Sequence, residues 1–299
     1  MSDAPEFAID KQRVRRAFDR AAGDYDRVAV LQHEVGGRLL ERLDYIRLQP
    51  DLVIDIGAGT GRISRSLTHR YKKARVVTLD IAPNMLRVAR RHAAPLVRFR
   101  HRQDFLCGDA ERLPLAGQCA AMIVSNLSLQ WCNDLDRAFN EFRRALKPGG
   151  PVLFSTFGPD TLRELRDSWS AADRAVHVGA FIDMHDIGDA LLRAGFSDPV
   201  VDTERFTLTY PDVYSVMREL KALGAHNATA GRPRSLTGKG RMRAMLSAYE
   251  THRRDGALPA TYEVVYGLAW APTAASSRED GVVKIPLSAL RRPPRERKA

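Results

Sequence analysis

Between residues 50 and 157, short apolar runs alternate with stretches in which apolar residues recur at three- and four-residue steps. The runs are 52–57 (LVIDIG), 76–80 (VVTLD), 105–109 (FLCGD), 122–126 (MIVSN) and 151–157 (PVLFSTF), and helices are expected from Arg62, from Pro83 and over 134–146. Runs this continuous leave no wet face on a strand. Each followed by a helix, they predict βαβ units and a mostly parallel sheet covered on both faces, an α/β fold. Leu146-Lys147-Pro148-Gly149-Gly150 stops the last of these helices, because neither proline nor paired glycine continues one.

Upstream, 9–22 and 27–47 read as helices, the second with a packing stripe of Val28, Leu31, Val35, Leu39, Leu43 and Ile46 that Pro50 ends. Downstream, a helix near 183–194 stops at Gly195, a strand is expected around 199–209, and 211–258 is mostly helical with a Gly/Arg/Pro loop at 231–240. Aromatic and β-branched residues make 260–272 a last strand. The expected organisation is an N-terminal helical lid at 1–47, a core at 48–210 and a helical cap inserted at 211–258. A final core strand at 259–272 and a tail at 273–299 follow, with 291–299 disordered. An insertion in that place is able to roof a substrate site.

Composition narrows the class. The chain has 299 residues, 44% apolar and 28% charged, which is ordinary globular usage with ample material for a core. No apolar run reaches the roughly 18 to 20 residues of a membrane span, and MSDAPEF lacks the layout of a secretory signal, so a cytoplasmic location is expected. Cys107, Cys119 and Cys132 are odd in number and form no C-x-x-C, so they read as reduced thiols. Lys+Arg 47 against Asp+Glu 36 gives a net charge of +11, carried by 39 Arg and only 8 Lys. That excess suits nucleic acid, an acidic membrane surface or an acidic protein, and composition alone does not choose.

The sharpest local signal is Asp55-Ile56-Gly57-Ala58-Gly59-Thr60-Gly61, a strand end running into alternating glycines and a helix. Glycine there admits positive φ and lets backbone approach a ligand at the carboxyl end of a sheet. Asp80 closes the second strand, where a carboxylate can take two hydrogen bonds from a ribose, as also happens in NAD sites. Arg62, however, stands where the dinucleotide fingerprint places its third glycine. Asp109-Ala110 after the third strand adds an acid that can accept from an adenine amino group.

An acid before the loop, G-x-G-x-G, an acid after strand two and Asp-Ala after strand three together resemble the class I S-adenosylmethionine methyltransferases, across the first 157 residues. The resemblance implies a Rossmann-like fold with S-adenosylmethionine as cofactor. It places Asp55, Gly57, Ala58, Gly59, Gly61, Asp80, Ile81, Met85, Asp109, Ala110 and Asn126 around that cofactor. From about residue 11 to 272 the chain further resembles one branch, the malonyl-[acyl-carrier protein] O-methyltransferases of biotin synthesis. This second resemblance is carried by 17–22 with Tyr25, 125–132 (SNLSLQWC), 154–162 (FSTFGPDTL), 220–225 (LKALGA) and 259–262 (PATY). It implies transfer of a methyl group to the free carboxylate of a malonyl thioester on an acidic acyl carrier protein, without nucleic acid or membrane as partner.

Such chemistry asks for placement in a water-poor site, which can account for roughly 7 to 11 kcal/mol of barrier, and for no metal. The catalytic candidates are Tyr25, Gln130 and Trp131, and the candidate anchors for the substrate carboxylate are Lys221, Asn227, Arg232 and Tyr262; surface charge or core packing accounts for each as well. His177 and His185 near Asp183 and Asp186 match no common metal spacing, and helix capping by Asp183 is the plainer account. The competing readings are a methyltransferase for another small carboxylic acid and a non-methylating respiratory-complex assembly relative.

Overall fold

The computed structural model describes residues 6–95, 97, 102–233, 237–273, 278–279 and 282–283; the expectation for 291–299 lies outside them. Seven strands form one sheet: β1 Leu52–Ile56, β2 Arg75–Asp80, β3 Gln103–Cys107, β4 Met122–Asn126, β5 Pro151–Phe157, β6 Ser197–Tyr210 and β7 Leu258–Trp270. Their order is β3-β2-β1-β4-β5-β7-β6, with β7 antiparallel to both its neighbours and the rest parallel. The α/β class expected from the alternation is the one observed. The chain runs outward from β1 to β3 and then returns to place β4 on the other side of β1. A crevice therefore opens beyond the carboxyl ends of β1 and β4, where strand order reverses.

Consecutive strand residues face opposite sides, and both sides are buried. Val53, Val76, Val124, Leu153 and Val264 pack with α3 Val30–Glu41, α4 Arg62–Arg70, α7 Arg163–Ser170 and α10 Lys239–Glu250. Ile54, Val77, Ile123, Phe154 and Val265 pack with α6 Leu135–Ala145 and α8 Met184–Arg193. Burial at roughly 25 cal/mol per Å² of apolar surface on both faces is what holds the strand ends in register beneath the crevice.

The helix expected over 27–47 is divided. Tyr25–Val28 forms a single turn, α2, and Ala29, at φ −81° and ψ 43°, breaks it from α3; Arg42–Tyr45 continues α3 as a 3-10 turn. The cause is visible at the break. Asp26 in α2 accepts a 2.5 Å bond from Thr60 Oγ1 in the glycine loop, and Ala29 is fully buried, so α2 follows the loop while the stripe Leu31, Val35, Leu39 and Leu43 follows the sheet.

Before it, α1 Lys11–Ala21 packs beside α5 Pro83–His92, and α9 Val213–Ala222 and α10 occupy the connection between β6 and β7. Residues 6–10 are hydrogen bonded to 228–231: Asp10 N donates to Ala228 O, Ala230 N to Ala8 O and Gly231 N to Glu6 O, at 2.8–2.9 Å. Gly224, at φ 77°, lets the end of α9 close on α1, where a Cβ would stand 3.2 Å from Ala17 O and from Ala21 Cβ. Among the described residues no helix is long and apolar enough to cross a membrane.

Candidate functional site

Beyond β1 and β4 lies a cavity with about 700 Å³ of free space, part of it open to solvent. Gly57, Gly59 and Gly61 all have positive φ, at 69°, 53° and 76°. A Cβ on Gly57 would overlap the side chain of Ser128, so the loop can pass under the 126–128 turn only as glycine. That turn is itself tight, since Leu127 takes φ 48°, and it leaves Asn126 lining the cavity.

Asp80 is 8% exposed. Its Oδ2 accepts from Gly59 N and its Oδ1 from Ala82 N, each at 2.8 Å, and both oxygens keep a second lone pair. Burial pushes its carboxyl up to about 6, against the pull of those backbone bonds. Asp55 goes further, to about 7, because it is more deeply buried; its Oδ2 accepts from Ser64 Oγ at 2.5 Å while its Oδ1 is sealed off without a partner.

At the far end Asp109 Oδ1 receives Lys11 Nζ at 2.8 Å, and the same ammonium reaches Glu111 at 2.9 Å. Burial disfavours the Lys11 cation, but the Cys132 sulfur and the two carboxylates outweigh it and hold its pKa above the ordinary value. Helix α1 is thereby pinned to the rim of the cavity. Tyr25 closes the side opposite, its phenol kept protonated by burial and by Asp80 and Asp26.

The expected site residues thus sort by position. Tyr25, Gly57, Gly59, Asp80, Ile81, Met85, Asp109, Ala110, Asn126 and Trp131 line this cavity. Asp55 and Ala58 line the adjoining space beneath the glycine loop, and Gly61 lines neither, being the place where α4 presses on Ala89 of α5. Lys11, Val14 and Phe18 were not anticipated. They recur at three- and four-residue steps on α1, and that stripe was the signal available for them.

A second, largely apolar chamber of about 890 Å³ adjoins the first along Trp131. Its wall includes Gln32, Gln130, Phe157, Leu162, Leu165, His177, Phe181, Leu220, Leu223, His226 and Tyr262, and among the described residues no Lys or Arg lines it. Of the four expected carboxylate anchors it gathers two. Tyr262 is buried and stays a phenol, burial and Glu219 raising its pKa. Asn227 is already committed: its Nδ2 donates to Val176 O at 2.6 Å and its Oδ1 accepts from Thr229 N and Oγ1. Lys221 is exposed and Arg232 donates to Thr229 O at 2.7 Å; neither reaches the chamber. Gln130 is held by Leu127 O and Thr156 Oγ1, and Trp131 meets Phe18 edge to face at 5.4 Å. His177 bonds Asp173 and stacks on Trp169, while Asp183 caps α8 and bonds His185.

A family model described as a methyltransferase domain matches residues 54–154, the stretch that carries the glycine loop, Asp80, Asp109 and Asn126. A curated malonyl-[acyl-carrier protein] O-methyltransferase from Methylovorus sp. (strain MP688) is 54% identical over 94% of this chain and 96% of its own length. One of the same name from Halorhodospira halophila is 48% identical over 98% and 99%. The chain belongs to the malonyl-[acyl-carrier protein] O-methyltransferases. It is a methyltransferase whose methyl donor is S-adenosylmethionine. The fold is shared more widely than the family. The YcgJ protein of Bacillus subtilis superposes with a TM-score of 0.55 at 14% identity, over 81% of this chain and all of that one. Phosphoethanolamine N-methyltransferase 2 of Haemonchus contortus, solved with S-adenosyl-L-methionine, does so at 0.51 and 17%, over 85% of this chain and 57% of that one.

Proposed function

We propose that this malonyl-[acyl-carrier protein] O-methyltransferase converts the free carboxylate of a malonyl thioester, borne by an acyl carrier protein, to its methyl ester, an early step toward the pimeloyl precursor of biotin. The observation that carries this reading is the pairing of a cavity at the strand ends, edged by the Asp80 and Asp109 carboxylates, with an apolar chamber that has no Lys or Arg lining among the described residues. A carboxylate entering that chamber leaves most of its water behind and, among the described residues, meets no Lys or Arg. It is then a better nucleophile than it was in solution.

The residues present fit the donor. Asp80 offers two lone pairs where ribose hydroxyls can donate, Gly57 and Gly59 leave space that a Cβ would fill, and the unpartnered Oδ1 of Asp55 awaits a donor beneath the loop. Ile81, Met85 and Ala110 would flank the adenine, with Asp109 as acceptor for its amino group. The donor supplies a methyl group on a sulfonium. This chain's residues position the acceptor and keep water out: Tyr25 lines the cavity, Trp131 lies where cavity and chamber adjoin, Gln130 braces the 127–131 turn, and Tyr262 lines the chamber. Because an ionised carboxylate would be the nucleophile in the displacement at that methyl group, no proton would have to be moved and this chain's residues need supply no general base.

The carrier protein also has a surface to meet. Arg13 and Arg20, two turns apart on α1, and Lys221 at the end of α9 are exposed, and their charges together with burial hold the His226 imidazole below its ordinary pKa. His226 lines the chamber, so this cationic group frames its mouth. Charge complementarity with an acidic carrier follows. Incubation with S-adenosylmethionine and malonyl-acyl carrier protein should add one methylene to the acyl group by mass spectrometry. A gain on a free acid instead, with none on the carrier, would move the reading to another substrate; absence of S-adenosylmethionine binding by calorimetry would end it.

A further inference from the structure

Gln32, in the first turn of α3, lines both the apolar chamber and the space beneath the glycine loop. Its backbone carbonyl accepts from Asn126 Nδ2 at 3.0 Å, which fixes the residue against the end of β4, and Asn126 Oδ1 is itself held by Ser155 Oγ at 2.8 Å. The side chain is treated differently. Its Oε1 is sealed from solvent with no partner, and among the described residues none holds its Nε2. Of the two ends, the sealed Oε1 is an acceptor that a carboxylate does not serve, whereas the Nε2, outside that seal and unbonded, is a free donor on a residue that lines both cavities.

We propose that the Gln32 carboxamide is the subsite for the malonyl carboxylate, its Nε2 donating to the oxygen that does not attack. The inference rests on the carboxyl-methylation reading above. Its physical case is the kind of donor the reaction tolerates. An arginine fork would occupy both carboxylate oxygens and neutralise the nucleophile, whereas one neutral N–H orients the group and leaves the charge on the free oxygen. Among the described residues no Lys or Arg is in the chamber wall, and Asn227 and Gln130 are already bonded, which leaves Gln32 as the amide there with donors to give. Because no partner fixes its terminal torsion, it can turn its N–H toward an incoming oxygen.

The wild-type protein is tested first, for methyl gain on malonyl-acyl carrier protein; no gain there removes the parent reading and not this subsite alone. Gln32→Leu, similar in size, should then raise KM for malonyl-acyl carrier protein roughly tenfold or more and lower kcat, while S-adenosylmethionine affinity stays within about twofold. Gln32→Glu should lose more, by like-charge repulsion. Affinity for the methyl-ester product, which carries no charge, should barely change in either variant, and Tm should not fall with Gln32→Leu. Wild-type KM and kcat in Gln32→Leu would overturn the proposal. So would equal losses for malonyl and methyl-ester carriers, which is what a buried water or a packing role at Gln32 would give.

Discussion

The two adjoining cavities are built in opposite ways. The cavity at the strand ends is bounded by the turns at 56–59, 79–81, 108–110 and 126–128 and covered by the side chains of Lys11, Val14, Phe18, Tyr25, Met85 and Trp131, and at its glycine loop backbone amides hold the buried Asp80 carboxylate. The apolar chamber is collected from at least seven separate segments, at 7–9, 32, 130–131, 157–165, 177–181, 220–229 and 262, and its wall is largely side chain. A site made of backbone tolerates few residues and leaves a short motif. A site made of side chains tolerates many, and its specificity rests on volume and on the few polar groups left free.

Four changes test that contrast. The largest effect is expected at Gly57→Ala, where the new Cβ would overlap Ser128 in a backbone at φ 69°; S-adenosylmethionine affinity by calorimetry should fall by about a hundredfold or more. Next is Asp80→Asn, with a loss of about ten- to a hundredfold, since ribose hydroxyls donate better to a charged acceptor. The sign with pH follows from the raised value. Binding favours the ionised form, so below about pH 6 the proton competes and wild-type affinity should fall by up to about tenfold per unit, a slope absent in Asp80→Asn.

On the chamber side, combining Arg13→Glu, Arg20→Glu and Lys221→Glu should raise KM for the carrier-borne substrate about tenfold at low salt and much less at high salt. Arg47→Glu, an exposed charge near the amino end of β1, should leave KM unchanged. The smallest effect is on stability. Asp55 ionises at about 7 in the fold against an ordinary 3.8, so folding binds an extra proton between those values and stability is lost as pH rises through them. Asp55→Asn should therefore gain a few degrees of Tm at about pH 8 and little at about pH 5, while weakening the cofactor site.

The same contrast explains what was legible in the residues. Continuous apolar runs at 52–57 and 122–126 give the sheet because both of its faces are buried, and Gly57 and Asp80 announce themselves because only those residue types satisfy the backbone there. The break at Ala29 was not legible: it depends on Asp26 meeting Thr60, 34 residues away, and a helical stripe carries no record of such a bond. Lys11 was missed for the same reason, its partner Asp109 lying 98 residues on. Among the anchors, charge was the lure. Lys221 and Arg232 look suited to a carboxylate, yet neither lines the chamber, whereas Gln32, an uncharged residue in a helix, lines both it and the space beneath the glycine loop.

The backbone bonds between 6–10 and 228–231 have a thermodynamic consequence. They join the cover of the cofactor cavity and the roof of the chamber into one mechanical piece, reinforced where Gly224 seats on α1. Ordering that piece is needed by either ligand but has to happen only once. Whichever binds first leaves the second with less entropy to lose, and linkage makes the benefit equal in both directions. Methyl donor and acyl carrier would then be heterotropic activators of each other's binding.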